Sequence, residues 1–294
     1  MGDNMKLLYV TDLHGDKAKY EEVLDLAEKE EIKLIINGGD MLPKHRNISV
    51  EQLKFIKDYL KQYFKTLEEM GITYLCMLGN DDLMSFDKPF DQLCNEYKNV
   101  INIAQNIVFI DGYSFIGMNY ILDTPFPLKD RVVNENGFVM EKQLRNYAVL
   151  SKGLDFDYIN DWVSYSKNNL INMKDILNSL PIPSDYGRSI YIMHCPPVGL
   201  NLGRVHSRDK DVGSIAIHDF IKERKPLLTL HGHIHESPDV INGTWINHID
   251  NTVCINPGQT ENRSDELVYS LIDLDKGLYL RKKQEIKSPN KHFI

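Results

Sequence analysis

Five short segments of this chain concentrate side chains that can ligate a metal. They are Asp12-Leu13-His14, Gly38-Gly39-Asp40, Gly79-Asn80-Asp81, His194-Cys195-Pro196-Pro197 and Gly232-His233-Ile234-His235. Together they hold three carboxylates, one amide and four histidines. Imidazole nitrogens mixed with carboxylate and amide oxygens suit borderline divalent metals such as Mn, Fe, Zn or Ni. The set exceeds the four ligands of a single tetrahedral zinc. It matches two metals that share a bridging carboxylate. Gly38, Gly39, Gly79 and Gly232 precede ligand candidates, where the backbone must turn tightly and approach a bound anion.

Each segment follows a strand-like run. Met5–Thr11, Ile32–Asn37 and Ile72–Leu78 read as buried strands. Between the first two, Lys17–Glu30 carries Tyr20, Val23, Leu24 and Ala27 at helical spacing, with Asp16 as N-cap. Ser49 is placed to cap a long helix with the stripe Leu53, Ile56, Leu60, Phe64 and Leu67, ended by Gly71. The first 80 residues therefore read βαβαβ, which predicts parallel strands with helices on their faces. Ser189–Met193 and Leu227–Leu230 are strands leading into the fourth and fifth segments. In open α/β sheets ligands bind at the C-terminal strand ends. The five segments are therefore expected at one rim.

The rest of the chain reads differently. Short strand-like runs, Ile107–Ile110 and Phe115–Asn119, follow one another without helices. Residues 122–187 hold a loop rich in Pro, Asn and charge, then a helical stretch with Trp162, Met173, Ile176, Leu177 and Leu180. That stripe reads as core or a subunit contact. Ser214 is placed to cap a helix ending near Arg224. Val240–Ile241 and Thr244–Ile249 flank Asn242-Gly243, a hairpin signal. Val253–Ile255, Leu267–Leu274 and Leu278–Ile286 complete a β-rich tail. The expectation is one domain over residues 1–294, with residues 122–187 inserted as a lid or cap.

Bulk properties narrow the function. The chain has 294 residues, 42% hydrophobic and 26% charged, which is enough apolar material for a core. Its formal net charge is −8. An acidic chain without a basic, aromatic groove argues against nucleic acid as partner. The triplet Arg281-Lys282-Lys283 is too short to change that. No apolar run is long enough to span a membrane. The N-terminus lacks the apolar core of an export signal, and Cys76, Cys94, Cys195 and Cys254 show no short spacing. A cytoplasmic location is the resulting expectation. A homo-oligomer is left open.

Taken in order, D-x-H, G-G-D, G-N-x, H-x-P-P and G-H-x-H resemble the motifs of the calcineurin-like binuclear metallophosphoesterases. His194-Cys195-Pro196-Pro197, Val212-Gly213-Ser214, Leu230 to Ser237 and Asn256-Pro257-Gly258 are similar to the Icc-related predicted phosphoesterases. The resemblance spans about residues 5–120 and 188–275. It implies a four-layer α-β-β-α sandwich of two mixed sheets flanked by helices. It also implies that Asp12, His14 and His235 hold one divalent metal, that Asn80, His194 and His233 hold a second, and that Asp40 bridges them. Mn is the favoured metal. A hydroxide between two cations would attack a phosphate ester in line. Two divalent ions carry +4 against −3 from Asp12, Asp40 and that hydroxide, leaving about +1 for an anionic substrate.

The third segment departs from the family. Most members have His after Gly-Asn, usually assigned to protonate the leaving group; here it is Asp81. Beside cations a carboxyl group is pushed below its usual value near 3.9 and is a poor general acid. Asn80 and Asp81 stay as catalytic candidates. Arg204, His206 and Arg208 follow His194 in the chain and could supply a proton or a phosphate contact, with His206 the catalytic candidate among them; a solvated loop is the plainer reading. His45 is a weaker candidate still. His231 is read as ending its strand or hydrogen-bonding behind the ligands, Asp82 and Glu236 as local hydrogen-bonding or solvated groups, and Cys195 as packing. The leading expectation is a metal-dependent phosphoesterase acting on small esters, diesters ahead of monoesters, a nucleotide-derived ester among them. The alternatives are a non-catalytic scaffold of the same fold that binds a protein partner, and a nuclease.

Overall fold

A computed structural model describes residues 5–44, 46–136, 142–206, 210–260 and 265–286. In chain order the strands are β1 (Lys6–Val10), β2 (Leu34–Asn37), β3 (Thr73–Cys76), β4 (Val100–Asn102), β5 (Ile107–Ile110), β6 (Tyr113–Met118), β7 (Ala148–Lys152) and β8 (Asp155–Ile159). There follow β9 (Ser189–Met193), β10 (Arg204–Val205), β11 (Lys210–Asp211), β12 (Leu228–Leu230), β13 (Ile246–Ile249), β14 (Thr252–Ile255), β15 (Glu266–Asp273) and β16 (Leu278–Glu285). The helices are α1 (Lys17–Lys29), α2 (Ile48–Lys54), α3 (Lys61–Glu69), α4 (Asp87–Cys94), α5 (Trp162–Asn169), α6 (Met173–Ser179) and α7 (Ile215–Arg224).

Two six-stranded sheets form the centre, with orders β16-β15-β1-β2-β3-β4 and β13-β14-β12-β9-β6-β5. Both are mixed. In the first, β1 to β4 run parallel while β15 pairs antiparallel with β1. In the second, β6, β9, β12 and β14 are parallel and the two edge strands are antiparallel.

The layering follows from side-chain alternation along the strands. In β1, Leu7 and Tyr9 face the second sheet and pack with Ile190, Ile192, Leu228 and Leu230. Leu8 and Val10 face outward, against Tyr20, Val23 and Leu24 of α1. In β9, Tyr191 and Met193 face the opposite outer layer, where Trp162, Ile176 and Ile217 cover them. Three apolar interfaces between four layers result, as expected. No helix among the described residues is long and apolar enough to cross a membrane. The four cysteines are all buried free thiols.

Several local expectations are corrected. Asp16 and Ser214 cap α1 and α7, accepting from Ala18 N and Ile217 N. Ser49 is not a cap. It lies inside α2, and its hydroxyl donates to Leu154 O at 2.8 Å, while Asn47 takes the cap position. The long helix has a π-helical segment, Phe55–Leu60, between α2 and α3. Asn242-Gly243 makes a turn, with Gly243 N donating to Val240 O, but Val240–Ile241 is bend and turn, not strand, and follows directly on a 3-10 turn over Ser237–Asp239. The real hairpin joins β13 to β14 around Asp250 and Asn251.

The segment 122–187 divides. Residues 122–128 border a cavity, and β7 and β8 form a hairpin. The helices α5 and α6 belong to the outer layer, where Trp162, Met173, Ile176 and Leu177 are buried. Arg131, also buried, donates from Nε to Gly79 O at 2.7 Å and pairs with Asp87.

Candidate metal centre

All five segments leave the C-terminal ends of parallel strands, as anticipated. Asp12 and His14 follow β1, Asp40 follows β2, and Asn80 and Asp81 follow β3. His194 follows β9, and His233 and His235 follow β12. The loops are pinned to one another by main-chain bonds: Asp12 N to Gly39 O, His14 N to Asp40 O and Gly232 N to His194 O.

Asp12, His14, Asp40 and His235 each aim one ligand-type atom into a space where all four lie within 4.8 Å of one another. His235 Nε2 stands 3.1 Å from Asp12 Oδ1 and 3.2 Å from His14 Nε2. Beside them, His194 Nε2 lies 3.0 Å from Asn80 Oδ1 and 3.5 Å from Asp40 Oδ2. Asp40 thus neighbours both groups, with His14 Nε2 4.0 Å from its Oδ2. The His233 ring centroid is 5.5 Å from that of His194, and the His233 backbone N–H donates to both Asp12 carboxylate oxygens at 3.2 Å.

The electrostatics of most of the cluster suit a cation site. Burial alone would raise the Asp12 and Asp40 carboxyls, but His235 beside Asp12 and His194 beside Asp40 hold both below the usual carboxylate range. Burial lowers His14 and His233 to about 3, which leaves them neutral, the form that binds a metal. Burial also opposes the charged form of His194, yet Asp40 outweighs it and pushes the imidazole up to about 9. The ionised Asp12 and Asp40 and the neutral His14 and His233 make a donor set that fits divalent cations, and a cation would have to displace the His194 proton.

Backbone strain marks the same places. Asp12, His14, Asp40 and His233 all have φ between 46° and 67°. Such conformations are costly for residues with a Cβ and gather at functional sites. Two glycines are required by close approach. A Cβ on Gly79 would lie 2.2 Å from Asp40 N, and one on Gly232 would lie 2.2 Å from Thr11 Oγ1.

A supporting shell orients the ligand candidates. His194 Nδ1 faces Gly38 O at 2.9 Å, which turns Nε2 toward the centre. His231, buried, is behind the ligands as expected. Its Nδ1 faces Met193 O and Cys195 O, and Nε2 faces Thr229 Oγ1 at 2.8 Å. Cys195 is a buried thiol, pushed up to about 12 by that burial. Asp82 is more than a local group: its carboxylate accepts from the N–H groups of Met41, Leu42 and Gly79, tying the second ligand loop to the third. Gln52 adds to this, with Nε2 donating to Pro43 O and Asp81 O and Oε1 accepting from Leu83 N.

Lys44 is a neighbour that the spacing did not reveal. Its Nζ lies 3.3 Å from His14 Nε2 and 3.7 Å from Asp81 Oδ2. Asp81 is pushed up to about 6, first by burial and then by Asp40, against the pull of Lys44. Its Oδ1 accepts from Asn80 Nδ2 at 3.0 Å. Beside the cluster opens a cavity of about 610 Å³, lined by Asp40, Asn80, Asp81, His233 and His235 on the donor side. His206 sits in an exposed turn and is not among the residues lining this cavity. Arg204 lies in β10, outside the lining as well. Arg208 and His45 lie outside the described residues.

The sequence profile of calcineurin-like phosphoesterases matches residues 5–237. The chain belongs to this family, and a metal-dependent phosphoesterase is what its fold and donor cluster together support. Among solved structures, one crystal structure superposes with a TM-score of 0.61 at 17% identity, covering 97% of this chain and 100% of the other. The crystal structure of TT1561 of Thermus thermophilus gives 0.55 at 16% identity, again covering 97% and 100%. Both are similar in fold. No curated protein matches the chain.

Proposed function

We propose that this protein hydrolyses phosphodiesters with two divalent cations, manganese favoured. Asp12, His14 and His235 would hold one, and Asn80, His194 and His233 the other. Asp40 would touch both. The observation that carries the reading is the position of Asp40, between the Asp12–His14–His235 group and the His194–Asn80 pair. A bound pair would clamp the phosphate oxygens and make a water acidic enough to attack at neutral pH.

The protein's own groups do the rest. The Asp12 and Asp40 carboxylates stay ionised and neutralise much of the positive charge. His194 is fixed by Gly38 O, so its Nε2 has one direction to point. Asp81 replaces the family's usual histidine beside the cavity. When protonated it can hand a proton to a leaving oxygen, and Lys44 adds a cationic donor near the same place.

Hydrolysis of bis(p-nitrophenyl) phosphate by manganese-loaded protein tests the reading, against a chelated control and against p-nitrophenyl phosphate. Turnover that needs the metal and favours the diester supports it. No turnover of either ester, with the metals shown to be bound, would overturn it. Asp81 favours one second reading, a metal-binding scaffold for a protein partner, and that result would bring it forward.

A further inference from the structure

We infer that the cavity beside the donor cluster selects a singly charged phosphodiester whose alcohol portion is apolar, preferentially aromatic. The inference rests on the phosphoesterase reading above and names the substrate class that the site would take.

The cavity is two-sided. Its donor side is polar and strongly charged. The remaining wall is built largely from Leu122, Pro125, Phe126 and Leu128 on one run of chain, with Ile48 and Ile234 from two other elements. Phe126 is 53% exposed although it is a large apolar ring bordering a deep space. A ligand that covered it would remove that surface from water. Nothing about the domain core requires the ring there.

The wall's charges point the same way. Among the described residues lining the cavity, Lys44 is the one lysine or arginine, and it already lies 3.7 Å from Asp81. The carboxylates of the lining are Asp40, Asp81, Asp123 and Glu236. A nucleoside diphosphate or triphosphate needs cationic forks along its path. The described lining offers no such group beyond Lys44. One negative charge at the cation site, with an apolar remainder on the far wall, is the arrangement that leaves no charge uncompensated.

The wall is also preset. The buried Lys129 ammonium donates to Asp123 Oδ1 at 2.7 Å, to Thr124 O at 2.5 Å and to Gln143 Oε1 at 2.8 Å. It lies 5.2 Å from the centroid of the buried Trp162 ring. This network holds the backbone immediately before Phe126, so little ordering remains to be done when a ligand arrives.

The test is a calorimetric titration of manganese-loaded protein with diphenyl phosphate and with dimethyl phosphate. Both carry the same single charge and the same phosphodiester group. Diphenyl phosphate is expected to bind at least about tenfold tighter. In F126S and L128S that advantage should shrink several-fold, whereas F126L should keep most of it. Melting temperatures of all three variants serve as the folding check. Equal affinity of the two diesters for the wild-type protein, or no detectable binding of either, overturns the inference. So does an advantage left intact in both serine variants. Turnover of bis(p-nitrophenyl) phosphate is scored separately. Diphenyl selectivity without turnover would sink the hydrolase reading and keep the pocket assignment; turnover without selectivity would do the reverse.

Discussion

The side-chain amide of Asn80 donates to Asp81 Oδ1 at 3.0 Å, and this contact decides which way Asn80 faces. With its NH₂ turned to Asp81, the Asn80 carbonyl oxygen is left to face His194 Nε2 at 3.0 Å. Asp81 therefore has a positioning role that a proton donor at this place would not need. The same carboxylate lies 3.9 Å from His14 Nδ1 and 3.7 Å from Lys44 Nζ, so it reaches residues from both ligand groups.

Asp81 as proton donor and Asp81 as positioning residue give different kinetics. A group raised to about 6 is protonated below that pH and loses its proton as pH rises through it. If it donates to the leaving oxygen, kcat for an ester with a poor leaving group should fall across that limb, and each bound cation displaces the limb downward. Asp81→Asn should flatten it. Asp81→His should help poor leaving groups more than good ones. An equal loss on both kinds of substrate would leave only the positioning role. Paired pH–rate profiles with p-nitrophenyl and alkyl leaving groups make the comparison.

Asp40→Asn removes a charge that both ligand groups share, and it weakens the acceptor for Asp81 N–H, now 2.8 Å from Asp40 Oδ1. Turnover is expected to be abolished, and the metal content after desalting to fall, as measured by elemental analysis. Near-normal activity in this variant would remove Asp40 from the bridging position.

Gly79→Ala tests the close approach of two ligand loops. The added methyl would lie 2.2 Å from Asp40 N and 2.3 Å from Asp40 Oδ1, so one loop must retreat. Metal affinity should fall by about tenfold or more, read by competition with a chromophoric chelator. Unchanged affinity would show that the loops separate freely.

Asp82→Ala leaves the N–H groups of Met41, Leu42 and Gly79 without their buried acceptor. The expected loss is about 2–4 kcal/mol in urea unfolding. Metal binding should weaken as well, because the loops bearing Asp40 and Asn80 lose their tie. A loss under about 0.5 kcal/mol, typical of surface positions, would mean that water replaces the carboxylate without cost.

The rim of the sheets was legible because each ligand segment follows a run of apolar residues, and strand-to-loop succession is a local pattern. Asp16 and Ser214 were legible as caps for the same reason: their partners lie two or three residues ahead. Ser49 was not, since its hydroxyl is taken by Leu154 O, 105 residues away. Asn242-Gly243 has a turn's chemistry, but Val240–Ile241 runs straight from the Ser237–Asp239 turn into it and pairs with no strand. Tyr59 and Tyr63 are buried beside the stripe at ordinary helical spacing, and the π-helical segment between α2 and α3 has no signature in that spacing. Lys44 escaped, and so did the reach of Asp82 to Met41 and Leu42, because ordinary charged residues announce nothing by type; what distinguishes them is where β2 and β3 set their loops. The apolar wall over 122–128 was hidden in a stretch rich in proline and polar residues, which carries no helical or strand periodicity to mark its apolar side chains as a group.

The donor atoms do not belong to one sheet. Asp12, His14, Asp40 and Asn80 ride on loops of the first sheet, and His194, His233 and His235 on loops of the second. Neither sheet can assemble a complete centre by itself. A cation held there would act as a clasp across the sandwich, and pulling the two sheets apart would require breaking it. Metal occupancy should then be an all-or-none reporter of whether the halves have docked, with no partly folded species retaining one full ligand set.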